Sequence, residues 1–287
     1  MRVIPIFFSM SQRQKPGSPL INQRKLTPVD AIALLVTLVI GVGVFRTPSL
    51  VASQVNSETI LLGLWCAGGA LSLAGALCYA ELGCNYPGMR GEYGYLQAAY
   101  GDYLARLFGW SRLAVIQTGS IAMIAFIFAD YVVTASGLAI NPAWYAAGGI
   151  LIITTINLTG IGPGTKTMNA LALWKGIGII ALIIAGLFIE LPTPPEAVKS
   201  DSMPGEISLA MVFVMLAYGG WSEASYLSRD MQEPGRNMMR VLVMSILLIT
   251  GIYLFVNMAY IKSLGLTEFS TSISPAADLM TEVVGHH

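Results

Sequence analysis

Charged residues are scarce in this sequence. Asp, Glu, Lys and Arg make up 11% of the 287 residues, whereas hydrophobic residues make up 55%. A soluble domain carries about 25% charged residues, so the composition excludes an ordinary soluble fold and places the chain in the membrane class. The formal net charge is zero. Charge therefore gives no support for a nucleic acid partner, and none is predicted.

Cysteine and histidine are also rare, with three and two residues respectively. Cys66, Cys78 and Cys84 lie within or at the end of one apolar segment, which indicates small apolar side chains rather than disulfides or metal ligands. The two histidines stand at positions 286 and 287, away from any apolar segment. The spans also lack paired carboxylates and a nucleophile with its base, so we predict no enzyme, no metal site and no cofactor.

Long apolar segments dominate the remaining sequence. Seven of them are long enough, or nearly so, to cross a hydrocarbon layer of about 30 Å, and none alternates like a strand, so all should be helices. The predicted spans are 29–55, 59–86, 103–140, 143–158, 168–189, 207–226 and 241–261.

The distribution of cations gives an orientation. Residues 1–28 contain five Lys or Arg and no acid, and further cations follow in the loops on the same side of the predicted spans. Because cytoplasmic loops carry the excess of Lys and Arg, the amino terminus should be cytoplasmic. The predicted location of the chain is the plasma membrane. We therefore divide the chain into a cytoplasmic tail, 1–28, and a transmembrane domain, 29–287, with an external loop at 191–205.

The first span is interrupted near its middle. Gly41 and Gly43 stand two residues apart and are followed by Arg46 and Pro48. A glycine inside a helix costs about 1 kcal/mol relative to alanine, and a proline roughly 3 kcal/mol. Lipid does not tolerate unpaired backbone groups, so the break should face a cavity or a ligand.

The sixth span has a similar interruption, Gly219-Gly220, followed by Trp221 and Ser222. Small residues can alternatively serve close helix packing. Two interrupted spans that lie five apart, however, are the pattern expected of a transporter substrate site. A broken helix offers N–H groups that suit a carboxylate and carbonyls that suit an ammonium, so the predicted ligand is an amino acid.

Lys175 and Asp130 are two of the ionisable residues inside predicted spans. Lys175 either faces the bundle, where its ammonium could replace a bound cation or exchange a proton, or it snorkels to the membrane surface. Asp130 is either a structural partner or part of an external vestibule.

Two carboxylates lie near the cytoplasmic end of the second span, Glu81 inside the span and Glu92 in the re-entering loop that is predicted to follow it. They either anchor the loop, solvated or paired with Arg90 or Arg106, or they have a role in transport. The sequence leaves both readings open.

Several motifs together resemble those of the amino acid–polyamine–organocation superfamily, nearest to its L-type amino acid transporter-like branch, from about residue 30 to the end. They are Ile40-Gly-Val-Gly-Val-Phe45, Ala80-Glu-Leu-Gly83, Phe108-Gly-Trp110, Ala217-Tyr-Gly-Gly-Trp221 and Asp230-Met-Gln-Glu-Pro-Gly-Arg-Asn237.

This resemblance implies two inverted repeats of five helices, with discontinuous first and sixth helices. The substrate would be held by the backbone at Ile40, Gly41, Val42, Gly43, Leu216, Ala217 and Gly219. Lys175 resembles a lysine that many members carry where sodium-coupled relatives bind an ion. Its presence implies proton-coupled symport or sodium-independent exchange, by alternating access.

The sequence departs from the family pattern in several respects, of which two substitutions and the number of spans bear on the site. Val42 stands where a serine is common, and Leu216 stands where many relatives place an aromatic gate. Such transporters need at least ten spans, so we expect the second repeat to be incomplete in this chain. A partner chain would then supply the missing spans. The alternative is a non-transporting remnant that acts as an amino acid sensor or a scaffold subunit.

Overall fold

A computed structural model describes residues 27–41, 43–86, 91–137, 140–159, 161–188, 204–223 and 234–285. Every regular element within these ranges is helical, which confirms the predicted all-α class. The first helices are α1 (Pro28–Val39), α2 (Gly43–Ala52), α3 (Glu58–Asn85), α4 (Gly91–Tyr100), α5 (Asp102–Ser111) and α6 (Thr118–Ser136), with a π-helical turn, Arg112–Gln117, joining α5 to α6. The later helices are α7 (Pro142–Leu158), α8 (Ile161–Phe188), α9 (Pro204–Ala217), α10 (Pro234–Thr271) and α11 (Pro275–Gly285), with a 3₁₀ turn, Trp221–Glu223, after α9.

Some of the sequence predictions concern residues outside these ranges. They are residues 1–26 of the predicted tail, Val42, residues 87–90 after the second span, residues 138–139 of the third span, residue 189 and the predicted external loop up to residue 203, and residues 224–233 at and after the end of the sixth span. The division into a tail and a transmembrane domain stays a prediction.

Each of the seven predicted spans contains an apolar helix. Among the described residues, α3, the continuous α5–α6 helix, α8 and α10 contain segments long and apolar enough to cross a membrane. The bent pair of α1 and α2 makes a fifth span if the two helices are counted together. The shorter apolar helices are α7 and α9, with 17 and 14 residues.

The start of the first span follows from its local sequence. Thr27 caps α1, and its hydroxyl accepts a hydrogen bond from the Asp30 N–H at 3.3 Å. The Asp30 carboxylate accepts one from the Thr27 N–H at 3.1 Å, which completes a capping box. Pro28 occupies the first helical position, where no N–H is needed.

Helix α10 lies at the centre of the bundle and packs against α1, α2, α3 and α8. The main apolar core surrounds the two predicted breaks and includes the fully buried Trp65 of α3 and Tyr253 of α10. Gly68 permits α3 to approach α9 closely, because a Cβ at this position would lie 2.3 Å from a methyl carbon of Val214. The rear of the sixth span is therefore packed tightly against α3 and α10.

Two helices were not predicted, α4 and α11. Both are short, and neither contains an apolar run long enough to be recognised as a span. The segment that contains α4 was predicted only as a re-entering loop after the second span.

Candidate functional site

The first-span break begins where α1 ends. The N–H of Ile40 still donates to the Val36 carbonyl at 2.9 Å, but the N–H of Gly41 turns back to the Val39 carbonyl at 2.7 Å. The carbonyl of Thr37 therefore does not receive the Gly41 N–H that a continuous helix would supply. Helix α2 starts at Gly43, and its axis is bent by 53° from that of α1.

The carbonyl left by this break is bound by a lysine. The Nζ atom of Lys175, on α8, donates to the Thr37 oxygen at 2.8 Å. An ammonium is favourable at this end of α1, because the carboxyl end of a helix carries a negative partial charge. The structure thus brings the predicted coupling residue to the first break.

The sixth-span break begins after Ala217. The N–H of Tyr218 still donates to the Val214 carbonyl at 3.0 Å, and the N–H of Gly219 donates to the Leu216 carbonyl at 3.2 Å. Gly220 then adopts a φ of +104°, a conformation in which residues with a Cβ are strained. The α-helix therefore stops at the predicted double glycine.

A buried phenol holds the end of α9. The hydroxyl of Tyr253 donates to the Ala217 carbonyl at 2.7 Å. Tyr253 contacts Tyr218 and Trp65 edge-on, with ring centroids 5.1 and 4.9 Å away. The hydroxyl of Tyr218 in turn donates to the Trp65 carbonyl at 2.9 Å. These three aromatic residues form the rear wall of the sixth break.

The two breaks touch each other. A Cβ added to Gly220 would lie 3.6 Å from the Cα of Val39 and 3.7 Å from the carbonyl oxygen of Leu38. Helix α2 also packs against α9. The end of the first half-helix and the turn after α9 therefore form one continuous site.

The predicted site residues differ in exposure within the part of the chain that the structure describes. Ile40 and Ala217 are 3% and 8% exposed. An added Cβ at Gly41 would meet only backbone atoms at 3.9 and 4.0 Å, which are ordinary contacts. Leu216 is 63% exposed and lies on an open stripe of α9 that includes Val212. The described helices thus leave this side of the break uncovered.

Sequence reasoning missed several contacts that hold the site. The hydroxyl of Tyr131, on α6, donates to the Phe45 carbonyl at 2.8 Å, and Arg46 donates to the Ser272 carbonyl at 2.6 Å. Both contacts fix the first turn of α2, and both join residues that are far apart in the sequence. Buried tyrosines and an arginine in apolar spans were the available signal.

Glu92 has a partner that was not among the predicted candidates. Its carboxylate forms an ion pair with Arg112, whereas the candidate Arg90 lies outside the described residues. Arg112 is the first residue of the π-helical turn, so the pair ties α4 to the third span.

The sequence matches a family of known proteins. A family model described as amino acid permease matches residues 26–287. The b(0,+)-type amino acid transporter 1 of Homo sapiens is 31% identical over 271 residues, which cover 91% of this chain and 55% of the relative. The same transporter of Mus musculus is 34% identical over 260 residues, which cover 87% and 53%. The large neutral amino acids transporter small subunit 2 of Mus musculus is 28% identical over 287 residues, which cover 94% and 53%.

The chain spans about half the length of the curated relatives it matches. These relatives are named as transporters, in keeping with the prediction that the chain is not an enzyme. The resemblance to the amino acid–polyamine–organocation superfamily and its L-type branch is confirmed. Because the family model extends from residue 26 to residue 287, the chain belongs to the amino acid permease family.

Proposed function

We propose that this chain binds an amino acid at the two touching helix breaks and forms the binding half of a permease that works by alternating access. The observation that carries this proposal is the contact of Gly220 with Val39, which brings the sixth break beside Ile40 and Gly41. The names of the relatives, which are amino acid transporters, support an amino acid as the substrate.

The backbone of the breaks suits both charges of an α-amino acid. The amino end of α2, at Gly43, offers N–H groups and a positive partial charge to a carboxylate. Carbonyls at the ends of α1 and α9 suit the ammonium. The Ala217 oxygen accepts from Tyr253 but has a second lone pair. In this proposal the binding residues are Ile40, Gly41, Val42, Gly43, Leu216, Ala217 and Gly219.

Lys175 is proposed as the coupling residue. Its ammonium lies at the carbonyl end of α1, where a helix dipole would otherwise favour a metal cation. A lysine in this position supports sodium-independent exchange or proton-coupled symport. We also propose that the permease lies in the plasma membrane with a cytoplasmic amino terminus, and that a partner chain supplies further spans.

Binding of radiolabelled L-leucine to the purified chain tests the first part of the proposal. Gly43→Val should weaken binding by about tenfold or more while membrane insertion stays normal. A Cβ at Gly43 would lie 3.2 Å from the Thr47 hydroxyl, and the valine methyl groups would crowd the amino end of α2. Gly63→Val is the matched control, because an added Cβ at Gly63 meets no atom within 4 Å. A tenfold loss corresponds to about 1.4 kcal/mol.

Uptake and counterflow in proteoliposomes test the second part. Transport by this chain, alone or with the carboxy-terminal half of a relative, would support the permease. Binding without transport in either case would favour the amino acid sensor instead. Unchanged L-leucine binding by Gly43→Val would mean that the first break is not part of the binding site.

A further inference from the structure

Trp221 lies directly beside the sixth break. It is the first residue of the 3₁₀ turn and directly follows Gly220, which touches Val39 of the first span. Its indole lies against α3 at Gly75, where an added Cβ would be 2.6 Å from a ring carbon. The indole therefore packs between the 3₁₀ turn and α3.

Tyr79, one helical turn after Gly75 on α3, holds the other side of the indole. The two rings meet edge to face, with centroids 5.2 Å apart and planes at 89°. This is a favourable geometry, since the positive edge of one ring faces the negative face of the other. The orientation of Trp221 thus depends on where Tyr79 points.

The Tyr79 hydroxyl binds one member of a charged pair. It donates to one oxygen of Glu92 at 2.9 Å, while the other oxygen of Glu92 is paired with Arg112. The Glu92 side chain is 16% exposed and that of Arg112 is 25% exposed. A hydrogen bond to a carboxylate is stronger than one between neutral groups, and it strengthens as water is excluded.

We propose that Tyr79 is a positioning residue for the substrate site. Glu92 and Arg112 fix its phenol, the phenol fixes Trp221, and Trp221 fixes Gly220 against the end of α1. This inference rests on the proposed function, because it assigns Tyr79, Glu92 and Arg112 a part in shaping the amino acid site. None of these three residues needs to touch the substrate.

Fluorescence of Trp221 tests the contacts without any substrate. The chain contains five tryptophans, so each variant is measured both with Trp221 and with Trp221→Phe. The difference between the two emission signals comes from the Trp221 indole. Glu92→Gln and Tyr79→Phe should increase acrylamide quenching of Trp221, because the tyrosine ring loses its fixed direction. Tyr79→Leu, which removes the ring, should increase quenching further.

Binding of L-leucine tests the consequence for the site. Tyr79→Leu should weaken binding by about threefold to tenfold, and Tyr79→Phe and Glu92→Gln by about threefold. Arg112→Lys, which keeps the cation, should bind more tightly than Arg112→Gln. The phenylalanine and glutamine variants keep the packing of the wild type, so they remain informative if Tyr79→Leu does not fold.

Two variants serve as controls. Tyr145→Phe removes a phenol hydroxyl on α7, and Asp102→Asn removes an exposed carboxylate on α5 that accepts from Gln97. Both should leave Trp221 quenching and L-leucine binding at wild-type values.

Wild-type quenching in Tyr79→Phe and Glu92→Gln would overturn the inference, as would altered quenching with unchanged binding. A wild-type chain that binds no L-leucine would instead overturn the proposed function. In that case the quenching data would still decide whether Tyr79 and Glu92 hold Trp221.

Discussion

A pair of glycines marks each of the two helix breaks in the sequence, but different contacts hold the two breaks in the structure. At the first break, the carbonyl of Thr37 is bound by the flexible Lys175 side chain, and an added Cβ at Gly41 would meet only ordinary contacts. At the sixth break, the carbonyl of Ala217 is bound by Tyr253, a phenol that is only 1% exposed. A charged contact thus secures the end of α1, and an aromatic core secures the end of α9.

This difference indicates which break can rearrange at lower cost. A lysine contact can form and dissolve with little loss of packing, whereas displacing a buried aromatic cluster opens a cavity. We therefore expect the α1–α2 break to be the adaptable half of the site. The break after α9 should be the rigid half of the site.

The largest expected effect comes from removing the aromatic support. Trp65→Ala should lower the free energy of unfolding by about 3–5 kcal/mol, because a fully buried indole is replaced by a cavity behind the sixth break. Thermal unfolding of the protein in detergent measures this loss. Trp144→Ala on α7 is the control, since that indole is 74% exposed and its removal leaves no internal cavity.

If both tryptophan variants unfold at the same temperature, the aromatic cluster does not anchor the break. The proposed contrast between the two regions would then be lost. A lower unfolding temperature for Trp65→Ala alone would support it.

A smaller effect is expected from adding one methyl group to each break. Gly220→Ala should cost about 1–3 kcal/mol, because a φ of +104° strains any residue with a Cβ. Gly41→Ala should change the free energy of unfolding by no more than about 0.5 kcal/mol, since an added Cβ meets only ordinary contacts there. Unfolding measurements on the two alanine variants compare the breaks directly, and equal losses would contradict the distinction.

The same contrast explains how much of the site could be predicted from the sequence. The positions of the breaks depend on local backbone preferences, so Gly41, Gly43, Gly219 and Gly220 identified them. The all-helical class likewise followed from the apolar segments. The contact of Lys175 with Thr37, by contrast, joins residues 138 positions apart and depends on how α8 packs on α1.

The sequence did not predict several contacts between helices. Tyr253 is an ordinary apolar-span tyrosine in the sequence, and only packing reveals that its hydroxyl reaches Ala217. Arg112 was not among the predicted partners of Glu92, because a partner 20 residues away depends on the turn between α4 and α5. The exposure of Leu216 likewise depends on which helices cover α9, and the glycine pattern says nothing about them.

The smallest effect on stability, but the most direct test of the adaptable break, comes from Lys175→Ala. This residue is half-buried, and loss of its contact with Thr37 should cost less than about 1 kcal/mol of stability. If its ammonium takes part in coupling, the pH profile of L-leucine counterflow in proteoliposomes should change in the variant. Lys262→Ala is a closely matched control, because Lys262 also donates to a carbonyl near a helix end, that of Leu187 at 2.5 Å, but lies away from both breaks. Its pH profile should match that of the wild type. Identical profiles for both lysine variants and the wild type would mean that Lys175 makes only a structural contact and has no part in coupling.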